Sequence, residues 1–65
     1  MKILTWQSRY NKNVTLMKLS SKTGISKSTL NNIENGKVFP TIIQLEAIAK
    51  ALDVKIGDLY DSEYK

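Results

Sequence analysis

Apolar residues recur along this chain at intervals of three and four, the period of a helix with one face turned inward. Ile3, Trp6 and Tyr10 fall at i, i+3 and i+7, with Leu4 widening the stripe. They predict a first helix over residues 2–12 with both aromatic rings in the core. Leu16, Leu19 and Thr23 repeat the spacing in a second helix, Leu16 to Thr23. Leu30 and Ile33, three apart, share one face of a third. The most regular stripe is Ile42, Leu45, Ile48, Ala49 and Leu52, with Ala47 and Ala51 adding helix propensity. Ile56, Leu59 and Tyr60 face inward from a short fifth helix, ahead of a polar tail, Asp61–Lys65, that is expected to be disordered. No stretch carries a strand signal. Five short helices predict an all-α domain.

The polar residues between these stripes supply the starts and stops. Asn11-Lys-Asn13 breaks the first helix. Thr15 is a candidate N-cap for the second, although Lys18 stands where a capping box needs Glu or Gln, and Gly24 ends it. Ser26 can cap the third helix, and Asn35-Gly36 closes it where glycine takes the left-handed conformation. Lys37-Val-Phe-Pro40 is a linker, its proline pushing Phe39 towards an extended backbone. Thr41 with Gln44 fits a capping box at the head of the fourth helix. Asp53-Val-Lys55 ends that helix, and Asp58 lies in the favourable first turn of the next.

A helix, a short turn with glycine and a second helix make residues 15–35 a helix-turn-helix pattern. Its second helix, residues 26–35, turns Leu30 and Ile33 inward and offers Lys27, Ser28, Thr29, Asn31 and Asn32 on its other faces. These short polar or cationic side chains can bond to phosphates and base edges. On the preceding helix Lys18 and Lys22 form a cationic i, i+4 pair, mildly unfavourable until a phosphate or water screens it.

Charge sharpens this picture. The net charge is +4, but residues 1–37 carry seven cationic side chains against Glu34 alone, while residues 38–65 carry three against five acidic ones. A basic half holding the helix-turn-helix with an acidic half behind it suits a polyanion-binding module. Sixty-five residues make one domain, and 42% apolar with 8% aromatic content suits a mainly aliphatic core. With no cysteine and no histidine, the chain lacks disulfides, thiolate ligands, the commonest metal ligand and the usual general base. No metal, cofactor or small-molecule ligand is expected, and enzyme function is excluded on the same grounds together with the lack of a phosphate-binding glycine loop. No apolar run spans a bilayer and no signal-peptide core follows Met1-Lys2, so a cytoplasmic location is expected.

Gly24-Ile-Ser-Lys-Ser-Thr-Leu-Asn-Asn-Ile-Glu-Asn-Gly-Lys37, followed by Pro40-Thr41, Leu45-Glu-Ala-Ile-Ala-Lys-Ala-Leu52 and Leu59, closely resembles the Cro/C1-type helix-turn-helix family of phage repressors and small bacterial regulators. The resemblance covers roughly residues 9–60. It implies a compact five-helix bundle of the lambda-repressor-like type, with the third helix in the major groove of double-stranded DNA, usually as a two-fold dimer. By position in the motif it implies that Lys27, Ser28 and Asn32 read base edges, with Thr29 and Asn31 flanking them nearer the backbone. Asn35 and Lys37 match the loop that holds phosphates, and Thr15 and Lys22 are further backbone candidates. Arg9 and Glu34 match a partly buried ion pair between the first and third helices.

The sequence also departs from the family pattern. Leu16 stands where a phosphate-bonding glutamine is frequent, and Ser20 and Thr23 replace an alanine and an apolar residue in the helix-turn-helix core. Thr5 and Ser8 replace apolar residues of the first helix. The implied function is a sequence-specific transcriptional regulator, a repressor. It would form a weak homodimer through the C-terminal region around Val54, Ile56, Leu59 and Tyr60, because one small domain makes too few phosphate contacts alone. The competing function is a protein-interaction module, antitoxin-like or anti-repressor, using the acidic half and exposed Phe39, Val54 and Tyr64.

Overall fold

Hydroxyl caps and left-handed turns set the boundaries of three of the four helices. The computed structural model describes residues 1–65 and contains four α-helices: α1 (Thr5–Asn11), α2 (Leu16–Thr23), α3 (Lys27–Glu34) and α4 (Ile42–Leu52). Thr15 Oγ1 accepts from Lys18 N at 3.1 Å, Ser26 Oγ from Thr29 N at 3.1 Å, and Thr41 Oγ1 from Gln44 N at 3.1 Å. At α4 the Gln44 amide oxygen returns the bond to Thr41 N at 2.9 Å, completing the capping box. Gly24 and Gly36 both adopt φ +75°, a conformation glycine takes without steric cost. Beyond α3 the Lys37 amide reaches back to Asn32 O at 2.9 Å and the Gly36 amide to Ile33 O at 3.3 Å, the Schellman closure of a helix.

The fold is mostly helical, but the five-helix, strand-free expectation needs correction at both ends. Residues 2–3 are not helical: Lys2–Ile3 forms a short strand, β1, antiparallel to Tyr60–Asp61, β2. Lys2 lies opposite Asp61 and Ile3 opposite Tyr60, and the Leu4 amide continues the pairing with a 2.7 Å bond to Leu59 O. The expected fifth helix is a single 3-10 turn, Ile56–Leu59, and Tyr60 belongs to β2. Two-residue strands carry no legible alternation, so a period-two search passes over them. Where the tail was expected to be disordered, Asp61 takes part in the pairing and the Lys65 ammonium donates to Gly57 O at 2.6 Å and Tyr60 O at 2.9 Å.

Starting α1 at Thr5 rotates its inward face. Thr5, Ser8 and Arg9 turn inward, while Trp6 and Tyr10, expected in the core, are 46% and 65% exposed and stack on each other at 5.3 Å. The inward face of α1 is therefore polar, which apolar periodicity cannot find. Ile42 is likewise exposed, at the first turn of α4. The core itself is Leu19, Leu30, Leu45, Ile48, Ala49, Leu52 and Leu59, contributed by α2, α3, α4 and the 3-10 turn. Val14, Leu16, Ile25, Val54 and Ile56 are half-buried around it, and Ile33 is buried beneath α3.

Candidate nucleic-acid interface

The turn between α2 and α3 is held by side-chain hydroxyls. Ser20 Oγ donates to Ile25 O at 2.7 Å. Thr23 Oγ1 donates to Leu19 O at 2.8 Å and accepts from Ile25 N at 3.1 Å. These are the two positions of the helix-turn-helix core where the sequence departs from the family's alanine and apolar residue, and each hydroxyl satisfies a backbone group of Ile25 in the turn. Ile25 then packs against the core, and Ser26 starts α3 at a fixed angle to α2.

Leu30 and Ile33 occupy the buried side of α3, each 1% exposed. A helical step of 100° per residue then puts Ser28 at the centre of the opposite face, with Lys27, Asn31 and Asn32 on its flanks. Lys27, Ser28 and Asn31 are exposed and, with Leu16 of α2, line a depression of about 540 Å³. Asn32 is half-buried outside that depression, and its carbonyl accepts the Lys37 amide at 2.9 Å and the Val38 amide at 3.4 Å. Of the expected base readers, Lys27 and Ser28 thus share one concavity with Asn31, a residue expected only to flank them. Thr29 is half-buried, its hydroxyl oxygen accepting from Ser26 Oγ at 2.8 Å.

The expected backbone contacts fall in separate places. Thr15 is exposed at the head of α2, and Asn35 and Lys37 are exposed just beyond the end of α3. Lys22 instead faces α4, lining a second depression of about 460 Å³ with Thr23, Ala47, Lys50 and Ala51.

Arg9 and Glu34 fix α3 against α1. Arg9 Nε donates to Glu34 Oε2 at 2.6 Å and Nη2 to Oε1 at 3.0 Å, and Nη1 donates to Val14 O at 2.9 Å. Their side chains are 15% and 5% exposed. No other Lys or Arg lies within 4.0 Å of a carboxylate, so Lys27, Lys37 and Lys22 keep their charges free for a partner. Leu16 carries the least expected role, as the one apolar wall of the α3 depression. The only signal for it in the sequence is its departure from the family's glutamine.

Residues 6–64 match the family model of the Cro/C1-type helix-turn-helix DNA-binding domain. The HTH-type transcriptional regulator SinR of Bacillus subtilis (strain 168) is 37% identical over 60 residues, covering 91% of this chain and 54% of SinR. The chain therefore spans about half the length of that regulator. The solved N-terminal DNA-binding domain of SinR from Bacillus subtilis superimposes with a TM-score of 0.80 at 34% identity, over 94% of this chain and 90% of that one. A solution structure of the N-terminal DNA-binding domain of SinR, there called the master biofilm-regulator, gives a TM-score of 0.74 at 34% identity and the same coverage. With nearly its whole length matched by the family model, this chain belongs to the Cro/C1-type helix-turn-helix DNA-binding domain family.

Proposed function

We propose that the chain is the DNA-reading domain of a transcriptional regulator, a repressor that works in the cytoplasm by laying α3 in the major groove of a specific duplex. The observation that carries this is the outward face of α3. Lys27, Ser28 and Asn31 line one depression, with Asn32 outside it, while Leu30 and Ile33 anchor the helix from behind. A lysine ammonium matches guanine O6 and N7, and an asparagine amide matches adenine N6 and N7. Thr15 ahead of α2, with Asn35 and Lys37 beyond α3, offers exposed groups to flanking phosphates that would set the register.

Two copies are needed for a full site. The longest extent of the domain is 31 Å, less than the ~34 Å that separates half-sites one turn apart, so each copy serves one half-site. Of the residues expected at a C-terminal dimer contact, Leu59 drops out because it is 0% exposed, leaving half-buried Val54, Ile56 and Tyr60.

Selection from a random duplex pool, followed by anisotropy titration of the selected and a scrambled duplex across a salt series, tests the reading. The expected outcome is a selected sequence bound at least 10³-fold more tightly than the scrambled one, as for specific DNA-binding proteins generally. Both affinities should fall steeply with salt, because bound phosphates release counterions. No enriched sequence, with a flat salt response, would overturn it. The protein-interaction reading would then stand, supported by exposed Val38, Phe39, Ile42 and Ile43.

A further inference from the structure

The depression beside α3 has one wall that neither phosphates nor hydrogen-bonding base edges explain. Leu16 is the first residue of α2, placed there by the Thr15 cap, and it lines the concavity opposite Lys27, Ser28 and Asn31. Part of its side chain packs against the core, and the rest stays open to the depression. A leucine cannot bond a phosphate, and water next to its methyl groups is unfavourable. In the major groove the only apolar group on the base edges is the C5-methyl of a pyrimidine, thymine in ordinary DNA.

We propose that Leu16 is a specificity-determining residue that packs on a pyrimidine C5-methyl in the major groove, beside the polar base edges bonded by Lys27 and Asn31. The inference rests on the DNA-reading function proposed above and names the chemistry that the site selects. A leucine methyl surface beside the lysine, serine and asparagine of α3 matches a base edge presenting an acceptor or an amino group next to a methyl, a pattern that only a thymine-containing pair offers in unmodified DNA. The same wall would reject cytosine at that place, since cytosine leaves the leucine facing water. Leu16 thereby turns a position that elsewhere in the family holds a phosphate into one that reads a base.

Replacing each thymine of the selected duplex in turn by deoxyuridine deletes the methyl and nothing else. With the full chain, one position per half-site should lose about fourfold in affinity, the worth of one buried methyl, while the other thymines stay within twofold. Leu16→Ala should bind the thymine and uracil duplexes alike, and Leu16→Met, which keeps an apolar contact, should retain most of the difference. A thermal melt of each variant by circular dichroism checks that it is folded, and the DNA-side substitution tests the inference without any protein variant. Placing cytosine or 5-methylcytosine at the sensitive position separates the sources. Affinity restored by 5-methylcytosine assigns the wall to a methyl on either base, and affinity as weak as cytosine's assigns it to thymine. The inference is overturned, with specific DNA reading intact, if every thymine-to-uracil change is neutral or the consensus contains no thymine. A position equally sensitive in folded Leu16→Ala overturns it too. Failure to select any duplex removes the DNA reading itself.

Discussion

Arg9 of α1 grips Glu34, the last residue of α3, through two hydrogen bonds of 2.6 Å and 3.0 Å, and its third guanidinium nitrogen holds Val14 O. Glu34 is the only acid among residues 1–37, and it is spent inside the fold rather than on the surface. α3 is therefore oriented by a charge pair at its end and by Leu30 and Ile33 along its length. Bidentate guanidinium–carboxylate geometry sets direction as well as distance, so the pair fixes the angle of α3 to α1.

Removing one partner strands the other charge in a mostly buried place. Glu34→Ala should cost about 3 kcal/mol, the lower end of the range for breaking a buried pair, given the 15% exposure of Arg9. The double change Arg9→Met with Glu34→Leu should recover most of that loss, because no buried charge remains. Urea denaturation midpoints read both outcomes. An unchanged midpoint for Glu34→Ala would show that the pair does not support the fold.

Trp6 marks where the sequence was misleading, and it gives a second prediction. Ile3, Trp6 and Tyr10 fit a helical stripe only if the helix runs unbroken from residue 2. Pairing of Ile3 with Tyr60 and of the Leu4 amide with Leu59 O is non-local, and it delays the helix to Thr5. Both rings then lie outside, stacked at 5.3 Å with 17° between planes. Trp6→Ala should cost only about 1 kcal/mol, the worth of an exposed aromatic pair, against roughly 3–5 kcal/mol for a core tryptophan. A loss in the larger range would place Trp6 in the core after all.

The helices α2 to α4 were legible because their signals are local: Thr15, Ser26 and Thr41 caps, Gly24 and Gly36 stops, and apolar residues three and four apart. Arg9–Glu34 was legible through the family resemblance and through Glu34 being the one acid of a basic half, since residues 25 apart leave no spacing signature. Which polar face of α3 forms a concavity was not legible. It depends on Leu16 of the neighbouring helix, and Asn31 and Asn32 are equivalent until that neighbour is in place.

Thr5 contains the one buried side-chain polar atom without a hydrogen-bond partner, its Oγ1. The residue is 1% exposed, out of reach of bulk solvent. Thr5→Val keeps the shape and removes the unsatisfied hydroxyl, which should raise stability by about 1 kcal/mol. For a domain of this size that corresponds to roughly 5 °C in melting temperature. A lower melting temperature would mean that the hydroxyl has a partner in solution.

Asp53 ends α4 in the left-handed region at φ 56°, where glycine avoids a steric cost of about 1 kcal/mol. Its charge also sits at the negative end of the helix, an unfavourable place for a carboxylate. Both effects have the same sign, so Asp53→Gly should stabilise the chain by about 1 kcal/mol. Asp53→Asn keeps the conformation and removes the charge, and should give only a few tenths. The ratio of the two gains, from thermal melts at low salt, separates backbone strain from charge.

The two neighbouring asparagines of α3 make the sharpest test of how this domain reads DNA. Asn31 is exposed in the concavity with Lys27 and Ser28, whereas Asn32 is half-buried outside it, next to the Lys37–Val38 turn that its carbonyl anchors. Asn31→Ala should therefore relax the selected consensus at one base pair and cost about 1–3 kcal/mol per half-site. Asn32→Ala should cost less than Asn31→Ala on the same duplex, reversing the order that the family motif implies. Neither change should alter affinity for scrambled DNA, because an amide neutralises no phosphate. Lys37→Ala should do the opposite, weakening every sequence alike and flattening the slope of log affinity against log salt by about one per subunit. Lys22→Ala should leave that slope nearly unchanged, since Lys22 faces α4 across a different depression. Selection with each variant, together with salt titrations, measures all four. If Asn32→Ala relaxes the consensus and Asn31→Ala does not, the helix enters the groove rotated from the concavity, and Leu16 loses its place beside the bases.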